Sequence, residues 1–391
     1  MNLKILFTVQ GEGRGHLTQA IVAYELLVEQ GYEITGILVG GTRKHRVPEY
    51  FRKRIKSPVY RVESFGFVRD KNNKSVRILP SILHAFRHLI KYVHSIRVIR
   101  EIIKRHQPDL IINFYEPLVG LAHLFKSISL PTVSVAHQYL FLHPDFKFPA
   151  VLAPSDRRML QLYTRLTAFG SNKMLALSMY PLPEDTSYSI VVSPPLIRKE
   201  VLEVEPYQGT HLLVYLVNAG YMENIIQWHH RNPATTLHCF TDSKKVKDKW
   251  EYSETLTFHA LDDLKFLRFM ANSAGVVTTA GFESVCEAFF LEKPILMIPV
   301  EGHSEQRCNA LDAEKCGAGI ASEIFDLSLI LNRLHVHPEA SATFKSWIER
   351  FPDLFIKTIE SVLPDCSVQK QKAVNEKENS TIFASENYSI E

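Results

Sequence analysis

Cysteine is scarce in this chain of 391 residues. There are five, Cys239, Cys286, Cys308, Cys316 and Cys366, and no two form a Cys-x-x-Cys pair. That pattern excludes a disulfide framework and a structural zinc site, and it fits a reducing, cytoplasmic setting. No run of about 18 consecutive apolar residues exists, so the sequence predicts no membrane-spanning helix. Met1-Asn2-Leu3-Lys4-Ile5 runs straight into a strand-like pattern, without the apolar core and cleavage site of a secretory leader. Asp-x-Asp and His-Glu-x-x-His patterns are also missing, so no metal cofactor is expected. Net charge is only +3, yet it is unevenly spread. Residues 1–200 carry 28 Lys and Arg against 15 Asp and Glu, and residues 201–391 carry 17 against 27. A basic first half can meet an anionic acceptor or the anionic inner face of a membrane, as a peripheral protein would. It carries no recognisable nucleic-acid-binding module, so nucleic acid is not an expected partner.

What is present is a regular alternation of apolar β-branched runs and amphipathic helical patterns. Residues 3–9 read as a buried strand, 10–16 as a glycine-rich turn, 17–30 as a helix and 33–39 as a second strand. This βαβ opening predicts a doubly wound α/β sheet. The spacing Gly11/Gly13/Gly15 is not that of a dinucleotide fingerprint. Gly40-Gly41-Thr42-Arg43 stand where an acidic ribose reader would be needed. Residues 44–76 read as irregular and basic. Residues 81–106 read as one long basic amphipathic helix, packed on a sheet or lying on anionic lipid. Strands at 109–113 and 132–135 end beside polar residues: Asn113, Tyr115 and Glu116 after the first, His137 and Gln138 after the second. Strands at 173–178 and 190–193 complete the sheet, and residues 194–209, rich in proline, read as a linker and hinge. A second alternation follows, with strands at 211–217, 235–240 and 256–259 and helices at 223–230 and 264–272. Residues 340–363 read as helical with a break at Pro352, and the polar tail 366–391 as disordered. The expected division is 1–200, 210–339, the C-terminal helices 340–363, and the tail.

The densest chemistry lies in residues 275–320. A strand over 276–279 leads through Ala280-Gly281 into a helix over 283–291. Pro294 then opens the strand 295–298, and a polar loop over 301–307 enters another helix. The free N–H groups and positive dipole of a helix start suit a phosphate. Glu287, Glu305 and Gln306 offer donors and acceptors suited to hydroxyl groups. A phosphate site beside a hydroxyl-reading site suggests a nucleotide sugar.

Two motifs carry a resemblance. Gly11-Glu12-Gly13-Arg14-Gly15-His16 is similar to a Gly-rich loop, and Thr279-Ala280-Gly281-Phe282-Glu283-Ser284-Val285-Cys286-Glu287 to a donor motif. Both belong to glycosyltransferases of the GT-B fold, in the family of the peptidoglycan N-acetylglucosaminyltransferase and the diglyceride glycosyltransferases. The UDP-glycosyltransferases are more distant. The resemblance implies two Rossmann-like domains facing a cleft, the first on the acceptor side and the second binding the nucleotide sugar. It implies transfer of a sugar from a UDP-linked donor to a hydroxyl of a lipid or small molecule, inverting and without a metal. By the same resemblance, His16 is the general base, and Gly13 and Gly15 line the donor diphosphate; Arg14 stands where the family has a glycine and adds a cation near that diphosphate. Thr279, Gly281 and Ser284 also contact it, Glu287 holds the ribose, and Glu305 and Gln306 read the donor sugar. Gly317-Ala318-Gly319 resembles a closing structural element. Two departures stand out: Thr279 replaces a frequent histidine, and Glu283 replaces a usual asparagine and would repel a diphosphate unless turned away. A UDP-sugar 2-epimerase and a non-catalytic nucleotide-sugar-binding protein are the alternatives on the same fold.

Overall fold

A computed structural model of the protein describes residues 3–42, 46–65, 89–216, 219–335 and 340–363. The first half builds a seven-stranded, wholly parallel sheet. Its strands are β1 (Lys4–Gln10), β2 (Glu33–Gly41), β3 (Val59–Glu63), β4 (Leu110–Phe114), β5 (Thr132–Ala136), β6 (Lys173–Leu177) and β7 (Ile190–Ser193), in the order β3-β2-β1-β4-β5-β6-β7. The second half builds another seven-stranded sheet. Its strands are β8 (Leu212–Tyr215), β9 (Leu237–Thr241), β10 (Lys249–Ser253), β11 (Leu256–Ala260), β12 (Gly275–Thr278), β13 (Ile295–Met297) and β14 (Ile320–Ala321), in the order β10-β11-β9-β8-β12-β13-β14. Only β10 runs antiparallel to its neighbour. The central strands are apolar along their whole length because helices cover both faces of a parallel sheet.

In each sheet the strand order reverses beside the first strand. β1 has β2 on one side and β4 on the other, and β8 has β9 and β12. A reversal parts the connecting helices and leaves a crevice beyond the carboxyl ends of those strands, where doubly wound sheets bind ligands. The glycine loop follows β1, and the helix Phe282–Phe290 follows β12, so both motifs stand at these switch points.

Several elements depart from the expectation. The stretch read as irregular contains the helix Glu49–Arg54 and strand β3, and β10 was not anticipated. Both strands lie at sheet edges, where charged residues alternate with apolar ones and hide the pattern. The helices Pro117–Leu124 and Pro154–Thr167 were also unread, although each opens with a proline in its first turn. The basic amphipathic helix is described from Leu89 to His106, and its expected start at Ser81 lies outside the described residues. Tyr92, Ile96, Ile99 and Ile102 pack beneath the sheet with Leu6, Leu38, Val62 and Leu118. Lys91, Arg97, Arg100, Lys104 and Arg105 face solvent. The apolar stripe is therefore spent on the core, and the lipid-lying reading of this helix is corrected to sheet packing.

The chain crosses back at its end. The helices Ser341–Ile348 and Phe351–Ser361 follow the second sheet, and Pro352 sits in the first turn of the latter. Trp347 Nε1 donates to the Ser178 carbonyl at 2.8 Å, and Tyr32 Oη donates to Glu360 at 3.1 Å. Phe355 and Ile359 join the core of the first sheet. The tail read as disordered lies outside the described residues. Among the described residues no helix is long and apolar enough to cross a membrane, and the four described cysteines are free.

Candidate functional site

The glycine loop carries the chain from β1 into the helix Gly15–Glu29, and His16 sits in the first turn of that helix. Its ring stacks on Tyr115, centroids 5.2 Å apart. Tyr115 directly follows β4 with φ +60°, a left-handed conformation that turns its ring beneath the histidine. His16 Nδ1 lies 3.1 Å from Gln19 Oε1. Burial lowers the His16 pKa to about 4, so the ring is neutral near pH 7. Arg14, the residue before that helix, reaches away from the loop: it pairs with Asp263 at 2.8 Å and lies over the Tyr50 ring at 4.7 Å.

Opposite stands the start of the helix Phe282–Phe290. Gly281 was expected to make the tight turn, but its φ is −67° and the positive φ, +59°, falls on Ala280. The Ala280 carbonyl accepts from Asn309 Nδ2 at 3.1 Å, which pins this strained residue to the next helix. A Cβ on Gly281 would meet only Ser284 Oγ, at 3.4 Å, so open space rather than backbone strain surrounds it. The same turn sends Thr279 inward. Its side chain is fully buried and its Oγ1 has no partner, so the expected contact through Thr279 is corrected to a core position. Ser284 Oγ donates to the Gly281 carbonyl at 3.0 Å and lies 3.1 Å from Thr278 Oγ1.

The acidic residues of this region point across the crevice to the first half. Glu283 accepts from Gln19 Nε2 and abuts Gly15, where an added Cβ would clash with its carboxylate. Glu283 thus reaches to the first half while also accepting from its own backbone N–H in the first turn of its helix. Burial raises its pKa to about 7. Glu305 accepts from Gln138 Nε2 at 3.0 Å, and burial raises it, too, to about 7. Gln306 is partly committed, since its Oε1 accepts from the Val300 N–H at 2.8 Å and holds the loop before it. Glu287 is buried and gripped by Arg198, whose Nε and Nη2 donate to its two oxygens at 2.6 and 2.7 Å. The His137 ring stacks on Phe282 at 3.9 Å. Gly13 is exposed at the loop tip.

The structure therefore joins the halves through Arg14 on Asp263, Gly15 and Gln19 on Glu283, Gln138 on Glu305 and Arg198 on Glu287, with His16 beside Gln19; Ser284 and Gln306 bond within the second half. It adds Gln19, Gln138, Arg198 and Asp263. Gln138 was visible as a polar residue beyond a strand. Arg198 had only one signal, a cation three residues beyond Pro195 in the linker. Gln19 and Asp263 had none, because each is an ordinary helix residue until the halves meet. Glu116, at the end of β4, is a further buried acid. One oxygen accepts from Ser64 and from the Leu118 N–H, the other has no partner among the described residues, and burial lifts its pKa to about 7. Among the described residues no group of three or more His, Cys, Asp or Glu side chains is placed to hold a metal ion. A separate hollow of about 450 Å³ lies on the hinge side, lined by Met179, Tyr180, Phe289, Phe344 and Trp347, and none of the crevice residues borders it.

Known proteins place this architecture. Residues 3–335 match the family described as Glycosyl transferase family 1. A protein of Methanosarcina mazei described as an uncharacterized glycosyltransferase is 24% identical over 353 residues, covering 81% of this chain and 85% of the relative. The structure of LpCGTa in complex with UDP superposes with a TM-score of 0.61 at 16% identity, over 93% of this chain and all of that one. MurG of Acinetobacter baumannii superposes with a TM-score of 0.53 at 13% identity, over 92% of this chain and 100% of that one. The family match spans both sheets and the crevice between them, and on that ground the chain belongs to glycosyl transferase family 1, a glycosyltransferase of the GT-B fold.

Proposed function

We propose that the protein moves a sugar from a uridine diphosphate sugar to a hydroxyl acceptor, with inversion and without a metal. One observation carries this reading. A neutral, half-buried histidine at the first sheet's switch point faces, across one crevice, a helix start at the second sheet's switch point. The donor diphosphate would lie at the start of the helix Phe282–Phe290, where backbone N–H groups and Ser284 can donate to it. Arg14 and Arg198 would supply positive charge as the diphosphate departs. Glu287 would accept from the ribose hydroxyls, and Glu305 with the free amide N–H of Gln306 would read the sugar. His16 Nε2 would take the acceptor's proton as its oxygen attacks the anomeric carbon. The uridine choice draws on the UDP complex of LpCGTa.

A thermal-shift panel tests it. A ligand that binds only the folded state adds about 4 kcal/mol at roughly 1,000 times its Kd. UDP should raise the melting temperature of the parent and leave that of Glu287→Ala where it stands without ligand. Equal stabilisation by NAD would overturn the donor assignment, and epimer formation from UDP-N-acetylglucosamine alone would overturn transfer.

We further propose a lipid or small-molecule acceptor, and, for a lipid, docking of the basic first half on an anionic membrane. With the apolar stripe of the helix Leu89–His106 buried, only charge is left to bind there. Attachment to phosphatidylserine vesicles should then fall steeply between low salt and about 0.15 M, where the screening length is about 8 Å. Binding that ignores salt would count against it.

A further inference from the structure

We propose that Glu283 is a positioning residue for His16: acting through the Gln19 amide and from the opposite domain, it fixes which ring nitrogen of His16 carries the proton. This rests on the reading of His16 as base. Three observations meet here. Gln19 stands between the two, with its Oε1 3.1 Å from His16 Nδ1 and its Nε2 donating to Glu283 Oε1. Gly15, at the start of the same helix, leaves the space the carboxylate occupies, and any side chain there would push it out. Finally, Glu283 belongs to the helix after β12, whereas His16 and Gln19 belong to the helix after β1, so the chain of contacts exists only when the halves are together.

The chemistry follows from which groups can donate. An ionised carboxylate only accepts, so it must face the NH2 end of the amide. The amide oxygen is then turned to His16 Nδ1, and an amide oxygen also only accepts. Nδ1 must therefore carry the hydrogen, and Nε2 is left with a free lone pair, the form a general base requires. Without Glu283 the amide is free to present its NH2 end to Nδ1. The ring would then carry its hydrogen on Nε2 and could not take a proton from an acceptor. The arrangement thus prepares the base only in the closed molecule.

Protonation of Glu283 has the same effect as its removal, because a carboxylic acid can donate to the amide oxygen and turn it around. The charged and titratable groups around it are Glu287 on its own helix, Glu305 from the helix Ser304–Lys315, and His16. Burial first, and then the charge of Glu287, hold its proton on and raise its pKa to about 7. His16 itself, with a pKa near 4, stays neutral throughout this range. The base form should therefore be gained as pH rises through about 7.

The experiment is ¹⁵N NMR of the histidine rings in the full-length protein, with His16→Asn used to assign the signal. At pH 8 His16 should be the Nδ1–H tautomer, moving toward Nε2–H as pH falls to 6. Glu283→Ala should give a mixture at pH 8, and Glu283→Gln a mixture that no longer changes with pH. Gln19→Leu, which leaves Glu283 in place, should shift the tautomer as far as Glu283→Ala and serves if the latter does not fold. An Nε2–H ring in the parent at pH 8, or an unchanged ring in Glu283→Ala, overturns the proposal. No substrate enters these measurements, so their outcome is separable from the fate of the transfer reading. Where a UDP sugar is turned over, a competent fraction of about one in ten lowers kcat about tenfold with donor KM unchanged. Gln19→Leu combined with Glu283→Ala should be no worse than either alone.

Discussion

Arg198→Met should destabilise the folded protein by about 3–5 kcal/mol, the usual penalty for stripping one partner from a buried ion pair. Glu287 keeps only 5% of its side chain exposed and Arg198 11%, so neither charge can turn to water when its partner goes. The bidentate geometry adds two charge-assisted hydrogen bonds to the loss. Glu287→Leu should cost a similar amount for the converse reason. The double variant should recover most of the stability, because an apolar pair leaves no charge to desolvate. Urea midpoints of the three variants against the parent measure this. Single variants within about 1 kcal/mol of the parent, the range of surface ion pairs, would show that the pair is solvated. The double variant should nonetheless fail to be stabilised by UDP. Stability and donor recognition would thus come apart in one protein.

His16→Ala should lower sugar transfer by about 10²- to 10⁴-fold, the range for losing a general base. The effect should fall on kcat, with little change in the UDP stabilisation, since the proposed diphosphate site lies on the second half and His16 on the first. Because burial holds the His16 pKa near 4, the acid limb of the parent's pH profile should not belong to it. A variant that keeps transfer within tenfold of the parent would remove His16 from the mechanism.

The sheets were legible because their central strands are apolar end to end, and such runs survive any context. The edge strands β3 and β10 were not, since their residues answer to solvent on one side. In the candidate site, spacing alone points to the glycine loop, Ser284, Glu287 and the Glu305-Gln306 pair. What could not be read is pairing across the crevice. Glu283 looked like an obstacle to a diphosphate, and its carboxylate meets Gln19 and Gly15 while still accepting from its own N–H in the first helical turn. Thr279 looked available and is buried, because Ala280 rather than Gly281 takes the left-handed turn. The charge asymmetry between the halves has a partly internal use. Arg14 and Arg198 come from the basic half and meet Asp263 and Glu287 from the acidic one. No local window of sequence contains both members of either pair.

The return of the last two helices to the first sheet has a consequence for cutting the gene. The family match ends at residue 335, and both sheets are complete by then. A protein shortened to that point would nevertheless lack Trp347, Phe355 and Ile359, and the flank of β6 and β7 they cover would be bare. The recognisable homology is therefore shorter than the unit that must be expressed. The backbone also passes between the halves twice, once through residues 194–211 and once through the helices that return to the first sheet.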